Sequence, residues 1–179
     1  LGGDIAVGDQ VQVSGVVTDN DDLVQIQSAT IEVLSSGNEL PSAESLDPSQ
    51  ISDIGWSGVL IAMEGTLAGI NIYDEWTLTG ALGDGLVTDI GYNAVDDSAS
   101  IDGTTLPFLE VGRVYRVTAP NYYGFGDWML APRDSSDVVR IGCTDSNFPN
   151  FDPLATTDDG SCISTPGCTN PDADNFSED

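Results

Sequence analysis

The segment 142–162, GCTDSNFPNFDPLATTDDGSC, constrains this chain more than any other, because it begins to repeat. Gly167-Cys168-Thr169 restates Gly142-Cys143-Thr144 after 25 residues, and Asn175-Phe176 restates Asn150-Phe151. A short period with fixed Cys, Asp and Gly positions is typical of an array of small structural units. Units this small have too few apolar residues for a core of their own, so each needs a cross-link.

The cysteines of this segment predict a disulfide. Cys143 and Cys162 bracket the first repeat, and closing this 20-residue segment should stabilise it by about 3 kcal/mol. Cys168 opens the second repeat, and its expected partner would lie beyond Asp179. The alternative pairing joins Cys162 to Cys168 and leaves Cys143 free. Either pairing indicates an oxidising compartment, which means an extracellular or cell-surface location.

Acidic and amide side chains between these cysteines form a candidate calcium site. Ca²⁺ takes about six to eight oxygen ligands from carboxylates, amides and the backbone, whereas Mg²⁺ prefers to keep its waters. The alternative is that Asp and Asn serve only as turn formers here, and their spacing is not that of an EF-hand. The predicted ligands are Asp145, Asn147, Asn150, Asp152, Asp158 and Asp159.

The charge balance restricts the classes of function. Thirty acidic residues against four arginines give a formal net charge of −26, and the chain contains no Lys and no His. Such a chain repels phosphate backbones, so we expect no nucleic-acid partner. Most general-base, Schiff-base and zinc chemistry is also excluded, so we expect no enzyme. The charge indicates either a solubilising, salt-adapted surface or cation binding. No apolar run approaches the roughly 18 residues of a membrane span.

Short alternating segments separated by turn residues predict a mainly β fold, as a small barrel or sandwich. Residues 41–56 are polar and are interpreted as a linker, or as one short helix that begins near Asp47-Pro48. The glycine-rich stretch 80–85 is a predicted turn. The predicted strands lie within 4–34 and at 59–67, 70–73, 75–79, 86–90, 109–118 and 128–130.

A repeated sequence pattern divides the chain into two related β units. Val7-Gly8-x-x-Val11-x-Val13-x-Gly15 is matched by Val111-Gly112-x-x-Tyr115-x-Val117-x-Ala119. The predicted organisation is a partial β unit (1–45), a linker (46–56), a nearly complete β unit (57–141) and a Cys/Asp-rich tail (142–179). Because the start interrupts a unit and the end interrupts a repeat, we expect this chain to be a segment of a longer protein.

Several segments carry a family resemblance. They are GDQVQVSG at 8–15, LVQI at 23–26, VLSSGNELP at 33–41, GVLI at 58–61, EWTLT at 75–79 and YGFGDWMLAPRD at 123–134. These resemble the OB-fold-like modules of secreted, Bacteroidetes-type surface proteins, which often accompany extracellular nucleases and are commonly followed by GCTD…DDGSC repeats. The resemblance implies tandem OB-like small barrels, the first one incomplete, followed by an irregular disulfide- and calcium-loop tail. It does not imply catalysis, because nuclease activity belongs to a separate domain.

Three smaller features add candidate sites. Asn175-Phe176-Ser177 is an N-glycosylation sequon, and Asp97-Ser98-Ala99 resembles the O-glycosylation acceptors of Bacteroidetes, which would place sugar on Ser98. Arg133 is expected to pair with Asp134 or Asp137. The aromatic stretch 122–128 indicates core packing or a sugar-binding platform.

The sequence therefore predicts a non-enzymatic extracellular structural protein, a calcium-stabilised subunit of a cell-surface or fibrillar assembly. A barrel that lacks strands exposes an edge, and such edges recruit strands from other chains. The expected partner is thus another copy, in a homo-oligomer or filament. The alternative is an accessory module of a secreted enzyme such as a nuclease, which would recognise a glycan or a partner.

Overall fold

The period-2 pattern of the sequence produces a mainly β fold, and the predicted fold class is confirmed. The structure is a computed structural model that describes residues 5–20, 23–73, 75–88 and 109–163. Its strands are β1 (Gln10–Asn20), β2 (Leu23–Ser35), β3 (Glu44–Leu46), β4 (Leu60–Ile70), β5 (Trp76–Thr79), β6 (Asp84–Val87), β7 (Val114–Gly124), β8 (Asp127–Leu130) and β9 (Val138–Ile141).

Five strands close into a small barrel of the OB-like kind. The order around the barrel is β4, β5, β6, β8 and β7, and β7 returns to pair with β4. All neighbours are antiparallel except β6 and β8, which run parallel. β3 extends the sheet beside β4, and β9 extends it beside β7. Closure leaves the barrel strands few free edges.

The core of the barrel comes from alternate residues of its strands. In β4, Ile61, Met63 and Leu67 are buried, while Glu64 and Thr66 between them are exposed. This alternation is what a strand with one face on a core requires. Each fully buried large apolar side chain contributes roughly 1.5–3 kcal/mol of transfer free energy. The other fully buried large residues are Ile51, Trp76, Leu78, Val87, Tyr115, Val117, Met129 and Leu130.

Residues 46–56, interpreted above as a linker or a short helix, pack onto this barrel. Asp47 caps a 3₁₀ helix, Pro48–Ile51, by accepting a hydrogen bond from the Ser49 amide at 3.1 Å. Ile51 is fully buried in the core. A β-carbon on Gly85 would clash with the Pro48 backbone, so glycine at this position lets the helix approach β6. The alternative interpretation, a short helix that begins near Asp47-Pro48, is thus confirmed as this 3₁₀ helix, and the segment packs on the barrel instead of forming a free linker.

Several strand predictions need correction. The strand predicted at 109–118 begins at Val114 and continues to Gly124, because residues 111–112 form a turn in which the Arg113 amide donates to the Glu110 carbonyl. Residues 71–73 form a turn, because the Asn71 side chain accepts hydrogen bonds from the backbone amides of Tyr73 (2.8 Å) and Glu75 (3.1 Å). Such side-chain bonds compete with a strand ladder. Trp128 to Leu130 is also not the last strand, because β9 follows it after a 3₁₀ turn, Ser135–Asp137.

The first β unit is incomplete, as expected from the sequence. Its strands β1 and β2 form a two-stranded antiparallel sheet, and in the described residues neither pairs with any other strand. An isolated two-stranded sheet has marginal stability in water. None of the helices in the described ranges is long and apolar enough to cross a bilayer.

Candidate functional site

The repeat predicted to organise the tail is joined to the barrel by backbone pairing. Ile141, the last residue of β9, forms a parallel bridge with Thr157. The Gly142 amide donates to the Thr157 carbonyl, and the Thr156 amide donates to the Arg140 carbonyl, both at 3.1 Å. The repeat therefore adds a short stretch of backbone to the outer edge of β9. We call this contact the barrel–repeat junction.

A buried ion pair crosses the barrel–repeat junction. The Arg140 side chain is 3% exposed, and its Nε donates to Oδ2 of Asp152 at 2.7 Å. Asp152 is 5% exposed. A second guanidinium N–H of Arg140 donates to the Glu110 carboxylate at 3.0 Å. Removing a charge from water costs several kcal/mol, so a buried guanidinium requires such partners. Asp152, predicted as a calcium ligand, is placed as the counter-ion of Arg140.

The electrostatics of the junction keep both carboxylates ionised. Burial by itself would raise the pKa of Asp152, but the hydrogen bonds from Arg140 and the Leu154 amide outweigh it, and the pKa lies below its usual value. Hydrogen bonds from Arg140 and then Arg113 lower the pKa of Glu110. Burial raises the pKa of Tyr115, whose hydroxyl accepts a hydrogen bond from the Glu110 amide at 2.9 Å. Two anions thus face Arg140.

A disulfide closes the repeat, as predicted. Cys143 and Cys162 are bonded, with 4.7 Å between their α-carbons. The alternative in which Cys162 pairs with Cys168 is therefore excluded. Cys143 is 1% exposed and follows β9 directly, so the cross-link begins at the barrel surface. The Asp152 amide donates to the Cys143 carbonyl at 2.8 Å, which places the ion pair and the disulfide side by side.

The other predicted calcium ligands make tight turns in the repeat. Asp145 accepts hydrogen bonds from the backbone amide (2.9 Å) and the side-chain amide (2.7 Å) of Asn147. The Asn150 side chain donates to the Ser161 carbonyl at 2.6 Å and accepts from the Ile163 amide at 3.0 Å. Asn150 thereby connects the middle of the loop to its closing end.

Asp158 and Asp159 occupy the DDGSC end of the repeat. Asp158 accepts from the Gly160 amide at 2.6 Å and from the Thr144 hydroxyl at 2.9 Å, and these bonds lower its pKa. Asp159 accepts from the Ser161 amide at 2.8 Å. Gly160 has φ = +73°, a conformation that favours glycine, which explains the Gly of the motif. The first and last parts of the loop therefore meet through Thr144 and Asp158.

These contacts limit which of the predicted residues can bind calcium. Within the described part of the chain, no three His, Cys, Asp or Glu side chains form a group able to hold a metal ion. Asp152 does not fit, because its carboxylate faces Arg140. Asp145, Asp158 and Asp159 are exposed, and a carboxylate has about four acceptor sites, so each retains capacity for a cation. Calcium binding therefore stays a prediction, and Asp145, Asp158 and Asp159 would have to supply its carboxylate ligands.

All four arginines of the chain face carboxylates. The predicted pairing of Arg133 is confirmed with Asp137, at 2.7 Å from Nη2 to Oδ1. Arg116 contacts Glu64 at 2.7 Å, and Arg113 contacts Glu110 at 3.4 Å. In a chain of net charge −26, each of these cations is thus neutralised locally.

The aromatic stretch divides between the core and the surface. The rings of Tyr123 and Trp128 lie 5.0 Å apart at a tilt of 50°, and Trp128 packs against the core. Phe125, at the β7–β8 turn, is 82% exposed and has φ = +57°. The predicted core packing therefore holds for Trp128, whereas Phe125 is available to a ligand.

Some predicted sites lie outside the described residues, namely Ser98, Asn175 and Cys168 together with the second repeat. No protein-family model matches the chain, and no curated protein or solved structure matches it either.

Proposed function

We propose that this chain is a non-enzymatic extracellular structural protein, a subunit of a cell-surface or fibrillar assembly. The observation that carries the proposal is the barrel–repeat junction. There the repeat is held to the barrel by backbone pairing, by the buried Arg140–Asp152 pair and by a disulfide that begins two residues after β9. Such a junction has the properties of a rigid connector.

A rigid barrel–repeat junction favours a structural role, because connections between folded units are usually flexible. Linkers are normally exposed, polar and crossed by few contacts. Here the chain passes from β9 to the repeat without any spacer, and Arg140, Ile141 and Cys143 are all buried. A connector of this type fixes the orientation of whatever the repeat contacts relative to the barrel, which is the property that a fibre subunit needs.

The disulfide supports the extracellular part of the proposal. Disulfides persist in oxidising compartments and are rare in the cytosol. The acidic surface fits the same setting, because it would bind divalent cations and keep the subunit soluble. We propose that calcium adds to the stability of the repeat through Asp145, Asp158 and Asp159.

The proposed partner is another copy of the subunit, in a homo-oligomer or filament. The test is light scattering and electron microscopy of the full chain in calcium-containing buffer, over a range of protein concentrations. We expect oligomers that grow with concentration. A monodisperse monomer at every concentration would contradict the assembly proposal.

A second candidate is an accessory binding module that recognises a glycan. The observation in its favour is Phe125, which is 82% exposed at the β7–β8 turn. Exposed aromatic rings bind ligands through large apolar contacts. A glycan array compares the wild type with Phe125→Ala and Tyr123→Ala. Binding that these variants lose while assembly is unchanged favours the module, and the absence of any binding counts against it.

A further inference from the structure

The N-terminal hairpin, β1 with β2, has the strand layout of one part of the barrel. A shift of 104 residues places Gln10–Asn20 (β1) onto Val114–Gly124 (β7). The same shift places the start of β2, Leu23, onto the start of β8, Asp127. In both hairpins two positions therefore separate the end of the first strand from the start of the second.

The turn ahead of each strand is also the same. The Asp9 amide donates to the Ala6 carbonyl, and the Arg113 amide donates to the Glu110 carbonyl, both at 3.1 Å. The glycines of these turns, Gly8 and Gly112, have φ of +91° and +88°. The repeated Val-Gly pair in the sequence thus corresponds to the same type of turn at Gly8 and at Gly112.

The cross-strand partners agree at the 104-residue shift near the tip, and further from the tip they agree when the partner strand is shifted by 107 residues. Near the tip, Val17↔Ile26, Thr18↔Gln25 and Asp19↔Val24 match Asn121↔Leu130, Tyr122↔Met129 and Tyr123↔Trp128. Further from the tip, Val11↔Val33, Gln12↔Glu32 and Val13↔Ile31 correspond to Tyr115↔Arg140, Arg116↔Val139 and Val117↔Val138. There β1 is still shifted by 104 residues (11 to 115), whereas its partner strand is shifted by 107 (33 to 140), so the barrel has three extra residues between β8 and β9. β2 therefore corresponds to β8 and β9 together. Its register shift between Ser14 and Val16 lies where β7 passes from β9 to β8.

The face of the hairpin that corresponds to the barrel core is apolar and uncovered. Tyr115 and Val117 of β7 are fully buried, whereas their counterparts Val11 and Val13 are 36% and 41% exposed. On the same face, Ile26 is 47% exposed although its counterpart Leu130 is fully buried. An apolar sheet face of this kind marks an interaction surface.

The edge of β1 that corresponds to the β4-paired edge of β7 has no partner strand in the described residues. In the barrel, β4 pairs antiparallel with β7 from Val114 to Pro120. The corresponding edge of β1 runs from Gln10 to Val16, and in the described residues no strand pairs with it. An open edge presents unpaired N–H and C=O groups to an incoming strand.

We propose that the N-terminal hairpin is a strand-acceptor site, and that its ligand is a three-stranded β-meander with the apolar pattern of β4–β6. The first strand of this meander would pair antiparallel with residues 10–16, as β4 pairs with β7. Its third strand would run parallel to β2 near Gln25 and Ile26, as β6 runs beside Met129 and Leu130 of β8. Strand addition of this kind takes affinity from main-chain hydrogen bonds and specificity from alternate side chains.

The ligand we propose comes from another polypeptide segment and not from a second copy of residues 1–179. In a second copy, β4, β5 and β6 are already closed into the barrel and cannot be donated without opening it. The inference deepens the proposed function, and it rests on that function only for the claim that the chain works within an assembly.

The test adds a copy of residues 40–108 to the full chain, directly ahead of Ile5 and in place of residues 1–4. The 104-residue shift makes Leu109 the counterpart of Ile5, so the added copy keeps the natural connection to the strand that follows. Hydrogen exchange of the amides in residues 10–16 is the readout. We expect exchange to slow by about a hundredfold or more when a second barrel closes.

Two matched variants make the result specific. Ile61→Asp with Met63→Asp in the added copy alone should abolish the protection, and Val13→Asp in the hairpin should do the same. The original barrel serves as the internal control for folding in each case. The proposal is overturned if the added copy leaves residues 10–16 unprotected while the original barrel keeps its slow exchange.

Hydrogen exchange of residues 10–16 also distinguishes the proposed donor segment from a second copy of the chain. Protection of residues 10–16 in the unmodified chain that rises with protein concentration would make a second copy the occupant, which overturns the donor proposed here. Exchange of the chain with the added copy is measured on dilute monomer. A failure of the unmodified chain to self-assemble would therefore count against the proposed function and would not affect this measurement.

Discussion

Arg140 and Asp152 form a salt bridge across the boundary between barrel and repeat, with 2.7 Å between Nε and Oδ2. Arg140 belongs to β9, and Asp152 lies near the middle of the loop that the disulfide closes. A buried pair adds little net stability compared with apolar packing, but leaving one member without its partner is costly. The pair therefore determines where the repeat sits on the barrel.

The first prediction concerns the loss of the Asp152 charge. We expect Asp152→Asn to lower the free energy of unfolding by about 3 kcal/mol, because it removes the anionic partner that lies 2.7 Å from the buried guanidinium. Urea denaturation measures the change. The matched control is Asp159→Asn, which alters an exposed carboxylate of the same loop and, in calcium-free buffer, should change stability by less than about 0.5 kcal/mol. Equal effects of the two substitutions would contradict the role assigned to Asp152.

The second prediction concerns acid. Burial alone would raise the pKa of Asp152, but the hydrogen bonds from Arg140 and the Leu154 amide outweigh burial and hold this pKa below its usual value in the folded protein, so folding favours the ionised form. The resulting stability is fully present above the unfolded pKa and is lost as the pH falls through the folded pKa. We expect the stability difference between wild type and Asp152→Asn to be constant above about pH 5 and to shrink steadily below about pH 4. A stability difference that persists unchanged at pH 2 would show that the charge of the Asp152 carboxylate does not account for the loss of stability in Asp152→Asn.

The barrel and the disulfide could be predicted because both leave periodic signals in the sequence. Alternation in β4, from Ile61 to Leu67, indicates one buried face, and the bracketing positions of Cys143 and Cys162 indicate their bond. β9 was missed because Val138–Ile141 is only four residues long and contains Arg140. For residues 46–56 the sequence leaves a linker and a short helix near Asp47-Pro48 both open, because a single buried anchor, Ile51, gives no period that would decide between them.

The direction of the Asp152 side chain could not be predicted from composition, since every acidic residue of the loop has the same ligand chemistry. A signal was nevertheless present. The chain has only four cations, and Arg140 stands among apolar residues directly before the repeat. At the corresponding positions of the second repeat the sequence has Thr165 and Ser177 in place of Arg140 and Asp152. The ion pair thus belongs only to the copy that adjoins the barrel.

The third prediction concerns the disulfide. We expect Cys143→Ala with Cys162→Ala to destabilise the repeat by about 3 kcal/mol through the longer unfolded loop, while the barrel core is retained. Hydrogen exchange of residues 144–163, compared with that of β4 and β7, separates the two parts. Cys168→Ala is the control and should leave residues 144–163 protected. If Cys168→Ala deprotects them equally, a different pairing exists in solution.

The fourth prediction concerns calcium. If the repeat binds Ca²⁺, a concentration about a hundredfold above Kd should stabilise it by about 2.7 kcal/mol, which appears as a rise in Tm. Asp158→Asn with Asp159→Asn should abolish this rise, because Asn keeps an acceptor for the turn but removes the charge. Asp152→Asn should lower Tm and leave the calcium-induced rise unchanged, because the Asp152 carboxylate faces Arg140.

The calcium experiment also has outcomes that contradict the proposed ligands. Mg²⁺ at the same concentration is the ionic-strength control and should give a smaller rise, since it dehydrates reluctantly. A rise in Tm that is equal for both cations and for all variants would be screening of the −26 net charge rather than binding at a site. No rise at millimolar Ca²⁺ would leave the backbone pairing with β9, the disulfide and the Arg140–Asp152 pair as the contacts that hold the repeat. In that case the connector would keep its rigidity without a metal, because none of these three links involves one.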